Sequence, residues 1–211
     1  MLSPILFTVY IDELLQQLKQ LGVGCFWKHH FIGAVCYADD IALLAPSPSA
    51  LRLMLKTCTL FAESHSLLFN AKKTQLIKFS CCRTDDSVEL TFCGDKLQLN
   101  KSVVHLGHIL SSDLSDDLDI IAKRKDLCKK TNCMLSIFLS CDYLTKTRLL
   151  QSFCLSLYGC ALWKTSSQQL RSLETTFNNI LRKIWLLPRR CHTSLLHLVS
   201  AWFTEPFQCG H

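Results

Sequence analysis

The feature that most constrains the fold is a change in the spacing of apolar residues near residue 112. Before it, short apolar runs alternate with stretches of helical spacing and tight polar connections, whereas from Asp116 onwards only helical spacing occurs. We therefore expect an α+β fold: an antiparallel sheet with packed helices, followed by an all-α bundle. The predicted divisions are a mixed domain, a helical region and a short tail, at residues 1–112, 113–190 and 191–211.

Two helices and a hairpin are predicted in the first half. Ser3-Pro4 and Ser47-Pro48 each place a capping serine before a proline, which favours the start of a helix. Between them, FIGAVCY (31–37) and DIALLA (40–45) are apolar runs joined by Ala38-Asp39. Two apolar runs around a tight polar connection indicate a β-hairpin with the aspartates at its tip.

Further strands are predicted closer to the pattern change. LLFNAKKTQLIKFS (67–80) has the pattern of two strands joined by a turn at Asn70-Ala71, and VELTFCGDKLQLN (88–100) that of a hairpin turned at Gly94-Asp95. VVHLGHIL (103–110) is predicted as another short strand. Beyond the change, the predicted helices are residues 116–140, 145–163 and 167–187.

The positive charge is concentrated in the second half. Residues 1–115 contain 10 Lys and Arg against 10 Asp and Glu, whereas residues 116–211 contain 13 against 7, which accounts for the whole net charge of +6. Such asymmetry indicates contact with a polyanion, for which nucleic acid is the usual candidate. A solvated helix face is an equally good interpretation of the charge alone.

The cysteines and the apolar runs indicate an intracellular protein, in the nucleus or the cytoplasm. The 13 cysteines are odd in number and none forms a C-x-x-C pair, as expected for reduced thiols. There is no basic leader and no apolar run of about 18–20 residues, so we expect no membrane segment. The tail collects cysteines and histidines that could bind zinc, but their spacings match no standard tetrahedral template. These residues are Cys191, His192, His197, Cys209 and His211.

The adjacent carboxylates of Asp39 and Asp40 have two interpretations. Turn residues are the commoner use of aspartate at a hairpin tip. The alternative is a divalent cation, because two-metal phosphoryl transfer needs carboxylates that bridge two cations about 3.5–4 Å apart. Neighbouring strand residues point to opposite faces, so a complete site needs another carboxylate from elsewhere.

The motif Tyr37-Ala38-Asp39-Asp40 resembles the YADD signature of reverse transcriptases, and its flanks resemble those of non-LTR (LINE-type) retrotransposon enzymes. Four further segments resemble elements of that family in the right order. They are LSPILFTVYIDEL (2–14), the Asn-x-x-Lys-Thr element within 68–74, the Leu-Gly primer-grip strand at 105–109, and the helical region in LSLYGCALW (155–163) and LRSLETTFNNILRKIW (170–185).

The resemblance implies a partial palm up to residue 112, a thumb-like bundle after it, and two-metal RNA-directed DNA synthesis with Mg²⁺, dNTPs, an RNA template and a DNA primer. Asp39 is then the metal ligand, Asp40 its less direct neighbour, and Lys73 a cation near the triphosphate. The residues implied in contacts with substrate are Tyr37, Ala38, Leu106, Gly107, Lys123, Arg124, Lys125, Lys129 and Lys130. For Lys73, an ordinary strand-end lysine is an equally good interpretation.

Two parts of the family pattern have no counterpart in the 211 residues: the first palm strand with its metal-binding aspartate, and the Gln-Gly of the nucleotide pocket. We therefore expect an N-terminally truncated fragment whose magnesium site is incomplete and which is inactive as an isolated chain. The alternatives are a non-catalytic nucleic-acid binder with a basic helical half, and a product without a retained biochemical role.

Overall fold

The computed structural model describes residues 3–79, 89–164, 167–193 and 196, and these form a mixed α+β protein as predicted. The chain divides into two compact units, residues 1–100 and 101–211. This boundary precedes the predicted one at residue 112. The assignment of the two units to a palm and a thumb stays a prediction.

The first unit contains two helices and several short strands. The helices are α1 (Ser3–Gln20) and α2 (Pro48–Ser64). The strands are β1 (Phe26–Trp27), β2 (His30–Phe31), β3 (Ala34–Tyr37), β4 (Asp40–Leu43), β5 (Leu76–Ile77), β6 (Leu90–Phe92), β7 (Asp95–Leu97) and β8 (Leu99–Asn100).

Both helices of this unit begin where the serine–proline pairs predict. At α2, the Ser47 hydroxyl accepts a hydrogen bond of 3.2 Å from the Ala50 amide, and Pro48 is the first helical residue. This satisfies one of the amides that a helix start leaves without a partner.

The core of the first unit lies between the two helices and the hairpins. Leu14 and Leu18 of α1 are fully buried together with Met54 of α2. Ile41 and Leu43 of β4 pack against this cluster. Burial of a large apolar side chain contributes about 1.5–3 kcal/mol, so the core fixes the position of the β3–β4 hairpin.

The strands form two-stranded pairs rather than one continuous sheet. β1–β2, β3–β4 and β6–β7 are antiparallel hairpins, whereas β5 and β8 pair in parallel. Within the described residues, the predicted antiparallel sheet is therefore present as separate hairpins.

Two details of the first unit differ from the sequence-based expectations. The segment before Asn70 does not form the predicted strand, and Leu68 is 99% exposed. The β6–β7 turn is Cys93-Gly94, one residue earlier than predicted, because Phe92 pairs with Asp95. Both turn residues have positive φ, 48° and 86°, which suits the tight twist of a two-residue hairpin.

The second unit contains one hairpin and a group of helices. The hairpin strands are β9 (Ser102–His105) and β10 (His108–Ser111). The helices are α3 (Asp117–Ile137), α4 (Tyr143–Leu149), a π-helical turn (Leu150–Cys154), a 3₁₀ turn (Cys160–Leu162) and α5 (Gln168–Ile184). The β9–β10 hairpin contacts α3, which places it in this unit.

The core of the second unit is built mainly from α3 and α5. Ile120, Leu127 and Met134, spaced by seven residues, face Leu173 and Phe177 of α5. Spacings of seven and four residues keep side chains on one face of a helix, and that face is buried here.

The second predicted helix, residues 145–163, is wrong in its second half. α4 ends at Leu149, and the amide of Leu155 bonds the carbonyl of Leu150, five residues back, to close a π-helical turn. Gly159 has a φ of 76°, which no α-helix accommodates. Within the described part of the chain, none of the helices is both long and apolar enough to span a bilayer.

Candidate active site

The Tyr37–Asp40 motif lies at the tip of the β3–β4 hairpin. Tyr37 pairs with Asp40, and Ala38 and Asp39 form the two-residue turn between them. Ala38 has a φ of 52°, and a positive φ at the first turn residue matches the twist of the flanking strands. The predicted hairpin with an acidic tip is confirmed.

The two aspartates differ in their setting. Asp40 belongs to a strand and shares the outward face with Tyr37, because directly paired residues of an antiparallel ladder point the same way. Asp39 belongs to the turn. Both carboxylates are exposed, as is Tyr37 at 66%, so the tip is accessible to a cation or a substrate.

The thiol of Cys36 lies close enough to both carboxylates for their negative charge to act on it. Its Sγ donates a hydrogen bond of 3.4 Å to the carbonyl of Ala38. Burial raises the pKa of the Cys36 thiol, and the negative charges of Asp39 and Asp40 raise it further. The same negative potential that disfavours a thiolate attracts a cation.

Lys73 lies in a turn that follows α2 and is organised by Asn70. The amide of Lys73 donates to both the main-chain oxygen and the Oδ1 of Asn70, each at 3.1 Å. The hydroxyl of Thr74 donates to the same main-chain oxygen at 3.0 Å. The Asn-x-x-Lys-Thr spacing therefore closes a turn on itself, and it leaves the Lys73 side chain exposed.

Leu106 and Gly107 form the turn of the β9–β10 hairpin, which corrects the prediction of a single strand through residues 103–110. His105 pairs with His108, and the turn residues have φ values of 48° and 77°. Leu106 is half-buried, whereas Gly107 is exposed. The exposed part of this element is therefore a turn, not the middle of a strand.

The five basic residues predicted on α3 do not share one face. Lys125 and Lys129, one helical turn apart, are exposed, on the side opposite the buried residues. The other three make internal contacts: Lys123 with the carbonyl of Gly107 at 3.0 Å, Arg124 with the hydroxyl of Ser172, and Lys130 with Asp126 at 2.6 Å.

A protein-family comparison identifies the family to which the segment with this motif belongs. The model described as reverse transcriptase (RNA-dependent DNA polymerase) matches residues 1–110, more than half of the 211-residue chain. The chain belongs to the reverse transcriptase family. A comparison with curated proteins found no match. Copying a template requires binding of nucleic acid, so the family membership implies a template and a primer as partners.

The reverse transcriptase match covers the YADD tip, the Asn70–Thr74 turn and the Leu106-Gly107 turn, and it ends within β10. The basic residues of α3 lie beyond it. The roles of the individual residues stay predictions, since the match concerns the segment as a whole.

The fit of the reverse transcriptase tip to magnesium is partial. Mg²⁺ prefers oxygen ligands and is often bound through one or two carboxylates together with waters and substrate phosphates. Asp39 and Asp40 are ligands of this type. Among the residues that the structure describes, however, no group of three or more His, Cys, Asp or Glu side chains could hold a metal.

The candidate zinc ligands belong to the C-terminal segment, residues 191–211. Of the candidate zinc ligands, His197, Cys209 and His211 lie outside the described residues.

Asp119 was not among the predicted site residues, although it contacts the Leu106-Gly107 hairpin. Its spacing of eight residues from the buried Leu127 was the available signal, because that spacing puts both on one helix face.

Proposed function

We propose that this chain is part of a non-LTR (LINE-type) retrotransposon reverse transcriptase and contributes the acidic hairpin of a two-metal polymerase site. The observation that carries the proposal is the exposed Asp39-Asp40 tip, held by a two-residue turn on a hairpin that packs against the core of its unit. The LINE-type assignment rests on the order of the five sequence elements.

Asp39 and Asp40 would hold Mg²⁺ together with the phosphates of the incoming nucleotide. The metal supplies activation of the primer hydroxyl and stabilisation of the leaving phosphates. Tyr37 and Ala38 shape the tip beside the primer end, and the exposed ammonium of Lys73 offsets charge on the triphosphate. The Leu106-Gly107 turn contacts the primer strand.

Polymerisation by the isolated 211 residues is expected to be negligible, because the described residues supply two carboxylates where the two-metal site needs a third. Primer extension on an RNA template with Mg²⁺ or Mn²⁺ tests this. Asp39→Asn is the test variant, and Asp12→Asn, which alters an exposed aspartate of α1, is its control. Extension that Asp39→Asn abolishes and Asp12→Asn leaves intact would show that two carboxylates suffice.

Binding of Mn²⁺ tests the metal site independently of activity. Paramagnetic broadening of hairpin resonances should appear at millimolar Mn²⁺ in the parent chain and in Asp12→Asn, and it should disappear in Asp39→Asn. Equal broadening in all three chains would remove Asp39 from the metal site.

A non-catalytic nucleic-acid binder is the second candidate, and the exposed Lys125 and Lys129 favour it. Binding of an RNA–DNA hybrid should weaken with salt, because each phosphate contact releases counterions. Replacing both lysines by glutamine should reduce the slope of log K against log salt by up to about 2, at about 0.9 per contact. A slope unchanged by the double substitution would exclude this face as the contact.

A further inference from the structure

A buried carboxylate joins three separate segments of the second unit. Asp119, in the first turn of α3, is 3% exposed. Its Oδ1 accepts from the amide of Ile109 at 3.1 Å, and its Oδ2 accepts from Nε1 of Trp163 at 2.9 Å. The imidazole of His108 completes the set, with Nδ1 at 3.2 Å from Oδ2. A buried carboxylate is stable only with such partners, and here all three are N–H groups.

The setting of His108 fixes the direction of its hydrogen bond. A carboxylate can only accept hydrogen bonds, so Nδ1 of His108 donates to Asp119, as do the Ile109 amide and the Trp163 indole N–H. Nε2 is buried and has no hydrogen-bond partner among the described residues. It faces Gly159, where an added Cβ would lie 1.9 Å away. The imidazole is therefore held from both sides.

Through these contacts α3 holds three consecutive residues of the β9–β10 hairpin. Asp119 bonds His108 and Ile109, and Lys123, one helical turn further on, bonds the carbonyl of Gly107 at 3.0 Å. These residues include the second half of the Leu106-Gly107 turn. A two-stranded hairpin is marginally stable on its own, so this helix face determines where the turn lies.

We propose that Asp119 is a positioning residue for the primer-contacting turn. Its carboxylate, supported by His108 and Trp163, keeps Leu106 and Gly107 in one orientation on α3. The proposal rests on the proposed function, since the orientation matters to the reaction only if this turn contacts the primer strand. Asp119 itself touches no reacting atom.

The test compares Asp119→Asn with Asp117→Asn in the full 211-residue chain. Both substitutions remove one carboxylate charge from the first turn of α3, so their effects on the helix dipole match. Asp117 is exposed, and its carboxylate accepts a hydrogen bond of 2.8 Å from the hydroxyl of Ser167. Asparagine at 119 keeps the size but presents one acceptor oxygen to three N–H donors, which leaves at least one buried donor without a partner.

Two measurements separate positioning from mere stability. Hydrogen exchange reports the amides of residues 107–109, and we expect about tenfold faster exchange in Asp119→Asn, the size of one lost charge-assisted hydrogen bond. Fluorescence anisotropy compares an RNA–DNA hybrid that has a recessed DNA 3′ end with a blunt hybrid of the same length. The parent should prefer the recessed end, and Asp119→Asn should lose that preference while its affinity for the blunt hybrid stays unchanged.

The two measurements distinguish failure of the positioning role of Asp119 from failure of the primer contact. Unchanged exchange in Asp119→Asn would show that the carboxylate does not hold the turn. Faster exchange with a retained preference for the recessed end would reduce Asp119 to a structural residue. A parent chain that binds both hybrids equally would overturn the primer contact itself, and exchange would still report whether the carboxylate holds the turn. Asp117→Asn should match the parent in both measurements.

Trp163→Phe is a milder variant in case Asp119→Asn does not fold. It removes one donor from the carboxylate and keeps the other two and most of the aromatic surface. We expect smaller changes in the same direction for both exchange and the recessed-end preference. A Trp163→Phe chain identical to the parent in both would count against the carboxylate as the element that holds the turn.

Discussion

Tyr37 lies directly opposite Asp40 in the β3–β4 ladder, so its ring and the Asp40 carboxylate share the outward face of the hairpin. The neighbouring pair, Cys36 and Ile41, faces the other way, and Ile41 packs against the core. This alternation gives the hairpin one face that fixes it and one that is available to a ligand.

Ala38→Val should destabilise the first unit by about 1–2 kcal/mol, because a β-branched residue is strained at a φ of 52°. Ala42→Val is the matched control, since Ala42 lies in β4, where β-branched residues are favoured, and it should change stability by less than about 0.5 kcal/mol. Chemical denaturation measures both. Equal effects at the two positions would mean that the turn does not have the positive φ.

Neutralising the tip should make Cys36 more reactive. Negative charge from Asp39 and Asp40 raises the pKa of this thiol, so Asp39→Asn lowers the pKa and increases the thiolate fraction at pH 8. Burial, the larger cause, remains, so the pKa stays above its ordinary value. Site-resolved mass spectrometry after brief alkylation measures the rate. Asp12→Asn should have no effect on the alkylation rate. If Asp39→Asn also leaves the alkylation rate of Cys36 unaltered, the Asp39 charge does not raise the pKa of this thiol.

The first unit should lose stability between about pH 9 and pH 12 through Cys58. Burial raises the pKa of the Cys58 thiol from 9.0 to about 12. The folded state therefore retains a proton that the unfolded state releases, so the stabilisation is full below pH 9 and is lost as the pH rises towards 12. Cys58→Ala should be less stable at pH 7, because a buried side chain is truncated, and its stability should fall less steeply above pH 9. Parallel pH profiles of the two chains would contradict the raised pKa.

Gly159→Ala should destabilise the second unit more than Gly107→Ala. Both glycines have a φ near 77°, and a left-handed conformation costs alanine about 1–2 kcal/mol. Gly107 has open space around an added Cβ, whereas at Gly159 that atom would lie 1.9 Å from Nε2 of His108. The clash should add about 1–3 kcal/mol, because Asp119 prevents the imidazole from moving away. Thermal denaturation measures both.

The His108→Ala chain tests whether the imidazole causes the loss of stability in Gly159→Ala. In His108→Ala, the Gly159→Ala substitution should cost no more than Gly107→Ala costs in the parent chain. A full effect that persists without the imidazole would place the clash elsewhere.

Local sequence signals were sufficient to predict an element where a few neighbouring residues determine its backbone conformation. Ser47-Pro48 specified the start of α2, and the apolar runs around Ala38-Asp39 specified the hairpin, because capping and turn formation depend on neighbours a few residues away. The prediction of a strand before Asn70 was wrong. The apolar residues of this segment do not specify a strand with which it could pair. In the structure Leu68 is exposed instead.

The sequence also did not predict which face of α3 is buried. Leu118, Ile120 and Ile121 are all apolar, yet Leu118 is 46% exposed and Ile120 is fully buried. A helix with apolar residues on several sides offers more than one face, and the packing of α5 against α3 selects one. The same selection buries Asp119.

The sequence by itself determined the order of the elements, the acidic turn and the membership of the reverse transcriptase family, because these depend on residue type and short spacing. Only the tertiary structure decided which charged groups face inward. Asp119 is buried and Lys125 exposed through the way α3 packs, and hydrogen bonds between residues 44 positions apart in the chain, such as that from Trp163 to Asp119, form only when separate segments are brought together.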